Sequence, residues 1–504
     1  MIVHVNTFGL FGIKGLYVDA EINVSKGIFY FEIIGMGNIA VKEAAGRIKP
    51  AIENMGYSFP NGRITVNLAP ASIRKEGANF DLAIAIGLLK STGVINNRIS
   101  NFAFIGELSL DGYIRAVKGV LPMIQAAYEM GIEKCIVPIE NADEAALIEK
   151  CKIYPASSLI DAVNILNNER EPWSNTVEKE NNQKKYGDFS DIKGQQQAVR
   201  AALIAAAGRH NILFIGAPGC GKTMIANRIH GIMPELTQQE SMEVTPVYSV
   251  MGLLKDFKMI SSVPFRSVYP DVTKAGLIGG GGKPVPGEIS LAHKGILFLD
   301  ELAEFDRNVM QSLRQPMESG KVRISRCGDF VEFPSDFMLV ASSNPCKCGK
   351  LFENGSCTCT KLQIKNYLSR ISKPLLDRID LHVPVKRINL IENQNKVFYS
   401  SAEIKQRVEK ARVIQNERYS GLDFNVNGKM NTIAIKKYCN LSVETEKTLK
   451  KAAELSQMSM RGYEKVLKIA RTIADLDESE KIMDYHIAES LQYRFLDDYM
   501  EREL

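Results

Sequence analysis

The octet Gly216-Ala217-Pro218-Gly219-Cys220-Gly221-Lys222-Thr223 sits inside an otherwise apolar run, "NILFIGAPGCGKTMIANRI". It has the spacing GxxxxGK[ST]; a strand pattern runs into it and a helical pattern runs out. Glycines at these places let backbone N–H groups converge on phosphate oxygens without side-chain obstruction. The following helix presents the positive end of its dipole to the same charge. The spacing predicts a triphosphate cradle from Gly216 to Met224, with ATP as the ligand. Lys222 neutralises phosphate charge there, and Thr223 offers its hydroxyl to Mg²⁺. Cys220 reads as a small residue tolerated inside the loop.

Two further stretches supply what such a cradle needs. "KGILFLDELAEF" is an apolar strand pattern ending in Asp300-Glu301. Asp300 is expected to hold Mg²⁺ through its water shell, and Glu301 to orient or deprotonate attacking water. The next strand pattern, "DFMLVASSN", ends on Asn344, a polar side chain able to reach the γ-phosphate or the water. Immediately afterwards come Cys346, Cys348, Cys357 and Cys359, with Gly349 and Gly355 to relieve tight turns. Two Cys-x-Cys pairs can converge on one tetrahedral Zn²⁺, which takes four thiolates at about 2.3 Å. The spacing is Cys-x-Cys rather than the commoner Cys-x-x-Cys. A redox device is the alternative, and a disulfide is disfavoured in a reducing compartment.

The elements that must position these residues follow from the rest of the chain. Its 504 residues exceed what one core supports, so two or three domains are expected. The net charge of +5 is small, so any nucleic-acid surface must be local. No apolar run is long enough to span a membrane. The beginning, "MIVHVNTFGLFGIKG", lacks the pattern of a signal peptide, and the nine mostly scattered cysteines suggest reduced thiols; a cytoplasmic protein is expected.

Residues 1–166 alternate β-rich runs ("GIFYFEIIG", "GRITVNL", "EKCIVP") with helical patterns ("NFDLAIAIGLLKSTG", "GVLPMIQAAYEMG"), which predicts a mixed α/β domain. Residues 167–187, "NNEREPWSNTVEKENNQKKYG", lose apolar content and read as a linker. A second α/β domain is expected over 188–390, and helices over 391–504. "SGKVRISRCGDFVEFPSDF" alternates around Cys327-Gly328-Asp329 as a β-hairpin does.

The motifs "DFSDIKGQQQAVRAALIAAAGRHNILFIGAPGCGKT", "PGEISLAHKGILFLDELAEF", "SGKVRISR" and "RISKPLLDRIDLHVPV" occur in an order that resembles the magnesium-chelatase-like ComM/YifB family of AAA+ ATPases. The resemblance covers essentially the whole chain. It implies an N-terminal Lon-protease-like domain, a central AAA+ P-loop core and a C-terminal helical lid. It also implies a ring of identical chains, a hexamer, with ATP between subunits. By the same resemblance, Arg378 in "LLDRIDL" matches the arginine finger that reaches a neighbour's γ-phosphate, with Arg370 as a rival. Arg461 in "MRGYEKVL" matches the second sensor in the lid. A guanidinium suits such roles because its fork neutralises charge on phosphoryl oxygens.

The resemblance further implies an insertion after the phosphate-loop helix, here about 236–292, and a hairpin before Asn344, both facing a pore. Lys321, Arg323 and Arg326 would then contact DNA phosphates, or else form an ordinary solvated face. "PFRSVYPDVTK" lacks the histidines common at this place in the family. The family reading implies DNA branch migration during recombination or transformation, with recombination proteins as partners. A chelatase-type ATPase that remodels a protein partner is the alternative. Peptidase activity is not expected: Asn79 stands where a Lon-like serine nucleophile would lie, and Leu121 where the base lysine would. Ser72 and Lys118 fall at the wrong places in the pattern.

Overall fold

The structure, a computed structural model, describes residues 2–168, 171–173, 187–254, 258–281, 284–326, 329–352, 357–387, 399–496 and 499. Gly355 and the hairpin tip Cys327-Gly328 lie outside the described residues, as do most of the linker and the side chain of Arg326. The chain folds as two compact units: Met1–Asn181 with Gln238–Ile260, and Asn182–Thr237 with Ser261–Leu504.

In the first unit, strands β1 (Ile2–Phe11) and β2 (Lys14–Ser25) form a long antiparallel pair. β3 (Tyr30–Ile34), β4 (Arg63–Ala69), β5 (Phe102–Phe104), β6 (Lys134–Pro138) and β7 (Lys152–Ala156) complete a sheet ordered β3-β4-β2-β1-β5-β6-β7. Alternation decides which face is covered. On β4, Ile64, Val66 and Leu68 are buried while Arg63 is exposed, so period-2 burial faces a core shared with helix Asp81–Ser91. That helix is buried at nine consecutive positions, Asp81 to Leu89, and its pattern is accordingly apolar all round.

Helix Gln238–Met251, which follows the phosphate-loop helix in sequence, belongs to this first unit. Met242 packs against the cluster around Leu121 and Ile124 on helix Val120–Glu129. The buried Glu144 carboxylate accepts from the Leu121 N–H at 3.1 Å, the Asn141 amide at 3.1 Å and the Ser249 hydroxyl. The stretch read from sequence as one insertion, about 236–292, is thus divided: its first helix packs with the N-terminal residues. From Ser261 onward it stays with the second unit, where Arg266 and Glu288 form a bidentate pair at 2.6 and 2.8 Å.

The second unit is built on a five-stranded, wholly parallel sheet. Its strands are β8 (Ile212–Gly216), β9 (Phe265–Val268), β10 (Ile296–Leu299), β13 (Met338–Ser343) and β14 (Leu381–Val385), in the order β9-β10-β13-β8-β14. β11 (Lys321–Arg326) and β12 (Asp329–Pro334) form a separate antiparallel hairpin, with Lys321 opposite Pro334. Ile212, Leu213, Phe214 and Ile215 are all fully buried, as expected for a strand covered on both faces. Each such side chain contributes on the order of 1.5–3 kcal/mol by leaving water.

Helix Gln196–Gly208 lies against this sheet through Ala201, Ala202, Ala205 and Ala206, residues small enough for close approach. The C-terminal helices Ser401–Arg418 and Met460–Leu476 feed Ile404, Val408, Ile469 and Ile473 into the same core. Arg412 and Gln415 donate to the carbonyls of Ala206 and Ala207, at the C-terminal end of helix Gln196–Gly208. The C-terminal helices therefore share the core of the sheet.

Candidate active site

In an open parallel sheet, loops leaving the carboxyl ends of the strands gather at one edge. Here the loops after β8, β10 and β13 bring Lys222, Asp300-Glu301 and Asn344 to that edge. The Lys222 ammonium donates to the Gly216 and Ala217 carbonyls at 2.8 and 2.9 Å and to Asn344 Oδ1 at 3.2 Å. Burial lowers its pKa, while Cys220, Asp300 and Glu301 act in the opposite sense.

The Thr223 hydroxyl donates to Asp300 Oδ2 at 2.9 Å. The other Asp300 oxygen accepts from the Ser342 hydroxyl and, at 3.1 Å, from the Glu301 N–H. Glu301 has φ of 56°, a left-handed conformation uncommon for a residue with a Cβ, and its side chain is exposed. The strand exit is therefore tightly bent, turning Asp300 toward Thr223 and Glu301 outward.

The cradle itself fits a triphosphate with Mg²⁺. Gly219 and Gly221 have φ of 76° and 95°, and a Cβ at Gly219 would meet nothing within 4 Å. The loop is thus open on its outer side, where Pro218, Gly219, Thr223 and Met224 are exposed. Ala217 and Cys220 turn inward, and Cys220 belongs to the core of the sheet. Gly216 is needed for another reason: a Cβ there would lie 2.1 Å from the Val385 carbonyl oxygen. The donor set suits the metal, since Thr223 and Asp300 are hard oxygen ligands of the kind Mg²⁺ takes.

Arg378 and Arg461 do not join this group within one chain. Asn211, just before β8, donates its side chain to the Arg378 carbonyl at 2.9 Å, and its own carbonyl accepts from Asp380 and Leu381. Arg378 therefore lies at the amino edge of the sheet, separated from the cradle by the length of β8, roughly 13 Å at 3.3 Å per residue. Arg461 lies with it: both guanidiniums meet the Glu318 carboxylate, Arg461 at 3.4 Å. Together with Arg209, Lys465 and Lys468 they line a cavity of about 210 Å³. Burial lowers the Lys465 pKa to about 8, opposed by Asp380. Arg370 is elsewhere, paired with Glu304 at 3.0 Å beside Asp300-Glu301.

Cys346, Cys348, Cys357 and Cys359 have all four sulfurs within 4.8 Å of one another. The separations 346–348, 346–357 and 348–357 are 3.4, 3.8 and 3.6 Å. Four sulfurs around one Zn²⁺ stand about 3.8 Å apart, so the residues fit the ion. Backbone N–H groups of Lys350 and Thr358 point at Cys348 and bring its thiol down to about 6.

On the hairpin, Lys321 and Arg323 are exposed and both pair with Glu332, at 2.8 and 2.9 Å. In the first unit, the Asn79 side chain is buried and donates to the Phe8 carbonyl at 2.7 Å, and Leu121 lies in the core. Ser72 and Lys118 are exposed. Two residues that support the site were not singled out from sequence. Ser342 grips Asp300, and its signal is a polar residue inside the apolar run "LVASSN". Gln195 joins the carbonyls of Cys220 and Lys386, and nothing in its sequence surroundings marks it.

Comparison with known proteins places this geometry in a lineage. The family described as "Magnesium chelatase, subunit ChlI" matches residues 188–393, "Subunit ChlI of Mg-chelatase" matches 20–141, and "Magnesium chelatase, subunit ChlI C-terminal" matches 399–494. The chain is 41% identical to competence protein ComM of Haemophilus influenzae over 491 residues, covering 96% of this chain and 95% of that protein. It is 37% identical to the uncharacterized protein YifB of Escherichia coli over 502 residues, 98% of this chain and 97% of that one. Similarity to the magnesium-chelatase 67 kDa subunit of Chlorobaculum parvum is 26% over 213 residues, 40% of this chain and 27% of that subunit. By full-length identity and by all three domain matches, the chain belongs to the ComM/YifB family, with magnesium-chelatase ChlI-like domains.

Proposed function

We propose that this chain is a Mg²⁺-dependent ATPase that assembles as a ring, a hexamer by family resemblance, and uses hydrolysis to remodel DNA. One observation carries the ATPase reading: three strands deliver Lys222, Asp300 and Asn344 to one edge, joined through Lys222–Asn344 and Thr223–Asp300 hydrogen bonds. Lys222 binds the β- and γ-phosphates, exchanging its loop carbonyls for phosphate oxygens. Thr223 and Asp300 would hold Mg²⁺, which when bound would supply positive charge against the phosphates. Glu301 orients the attacking water and takes its proton, and Asn344 positions it.

Arg378 and Arg461 act on the nucleotide of a neighbouring copy. Their distance from their own cradle supports this, because a guanidinium spans only part of the strand length between them. The four thiols at 346–359 take Zn²⁺. The chain works in the cytoplasm, and among the described residues no helix is long and apolar enough to cross a membrane.

DNA as the substrate, with branched or single-stranded DNA and recombination proteins as the partners, follows from the resemblance to the ComM/YifB family. A second reading is favoured by the hairpin: the single Glu332 carboxylate pairs with both Lys321 and Arg323, which halves the net positive charge they offer phosphate. In that reading the ring remodels a protein, as a chelatase-type ATPase. Phosphate release with and without forked DNA separates the two. Several-fold stimulation by the fork, with turnover abolished in Lys222→Ala and Glu301→Gln, is the expected result. Turnover indifferent to DNA would overturn the DNA reading and leave the protein-remodelling one.

A further inference from the structure

The segment that follows Asn344 does more than carry four thiols; it walls the phosphate loop. Gly349 adopts φ of 77°, and a Cβ built there would lie 2.4 Å from Pro218 Cδ and 3.0 Å from its Cγ. The backbone of the cysteine loop is thus in direct contact with the exposed tip of the cradle. Cys346 is fully buried, and its carbonyl accepts the Gly349 N–H at 3.0 Å, which sets the turn that delivers Gly349. Two residues before Cys346, Asn344 receives the Lys222 ammonium. One short stretch of chain therefore meets the cradle at two points, at Pro218 and at Lys222.

Phe352 anchors one side of this loop edge-on against Phe495 and Tyr499, but Cys348, Cys357 and Cys359 are only partly buried, and fixing each residue costs on the order of 1–2 kcal/mol. A cross-link that closes the loop supplies that order, and the sulfurs stand too far apart for disulfides, whose bond is about 2.05 Å. Their spacing suits four ligands around one ion. We propose that Zn²⁺ bound by Cys346, Cys348, Cys357 and Cys359 braces the phosphate loop through the Gly349–Pro218 contact, so that ATP affinity depends on a metal whose ligands never touch the nucleotide. This rests on reading the four thiols as a zinc site and the cradle as the ATP site. Binding replaces the proton of each thiol still protonated with a Zn–S bond and releases that proton to solvent. Without the ion the loop samples many conformations, Pro218 loses its wall, and nucleotide must order the cradle as it binds. Gly349 is in this sense a positioning residue.

The test measures zinc per chain by elemental analysis and the Kd of a fluorescent, non-hydrolysable ATP analogue on the full-length protein. About one zinc per chain is expected. Stripping it with a chelator, or Cys348→Ser, is expected to weaken the analogue by about ten-fold or more, with recovery when Zn²⁺ is restored to the stripped wild type. Gly349→Ala keeps its zinc yet weakens binding about ten-fold, and adding Pro218→Ala recovers part of the loss. Lys222→Ala loses the analogue and keeps the zinc. Should zinc removal unfold the protein by circular dichroism, Gly349→Ala decides alone. Absence of stoichiometric zinc overturns the metal site, and failure of the wild type to bind the analogue overturns the cradle. Zinc present, with affinity unchanged within two-fold both on its removal and in Gly349→Ala, overturns the brace.

Discussion

At the scale of single residues, the chain repeatedly puts a charge where opposite charges already wait. Asp336, just ahead of β13, meets Lys429 at 2.6 Å, Lys294 at 3.4 Å and Arg209 at 3.5 Å. Burial alone would raise its pKa, but Arg209, Lys429 and Lys294 outweigh burial and hold the carboxyl far below the usual carboxylate range. A carboxyl depressed on folding stabilises the folded state in full above the unfolded-chain value, near ~4, and loses that contribution as pH falls below it. Asp336→Asn is therefore expected to be less stable than wild type in urea unfolding at pH 7. The gap should hold down to about pH 4 and narrow progressively as pH falls further. A gap that stays constant below about pH 4 would contradict the assignment. Asp300, by contrast, is gripped by the neutral Thr223 and Ser342 hydroxyls, which orient the carboxylate that the proposed function assigns to Mg²⁺.

At the scale of elements, the chief result is the helix Gln238–Met251, which leaves the ATPase sequence to pack on the N-terminal unit. Glu144 is the joint, since one buried carboxylate satisfies the start of helix Val120–Glu129, Asn141 and Ser249. Glu144→Ala strands three donors and is expected to cost roughly 2–4 kcal/mol, with hydrogen exchange accelerated both at 120–124 and at 249–252. Acceleration at only one of the two segments would show that the joint is not shared.

The cradle octet, the exit Asp300-Glu301 and the strand ending at Asn344 were legible in the sequence because each is a local pattern: buried strand, then polar residue, then loop. The α/β class of the second unit followed from the alternation of strand and helix. Illegible were contacts made across sequence distance by residues with no local signature, such as Gln195 on Cys220 and Asn211 pinning β13 and β14. The destination of helix Gln238–Met251 was equally hidden. Its composition is that of any half-buried helix, and only the complementary face around Leu121 decides where it packs. Lys321 and Arg323 were legible as cations, but their capture by Glu332 depends on hairpin register.

At the scale of the whole molecule, the proposed function puts two halves of one reaction at opposite ends of one sheet. The cradle lies at the carboxyl edge, and Arg378 with Arg461 at the amino edge around Glu318. A head-to-tail interface would turn such a chain into the proposed ring, in which every seam joins one copy's cradle to the next copy's arginines. Measuring phosphate release from mixtures of two variants tests this most directly. Lys222→Ala lacks a working cradle, Arg378→Ala lacks the donated cation, and each alone is expected to be nearly inactive. Mixed in equal amounts and allowed to exchange subunits, they should recover activity, since about a quarter of the seams then combine an intact cradle with an intact arginine. Full turnover by Arg378→Ala alone, or a mixture as silent as its components, would contradict the account.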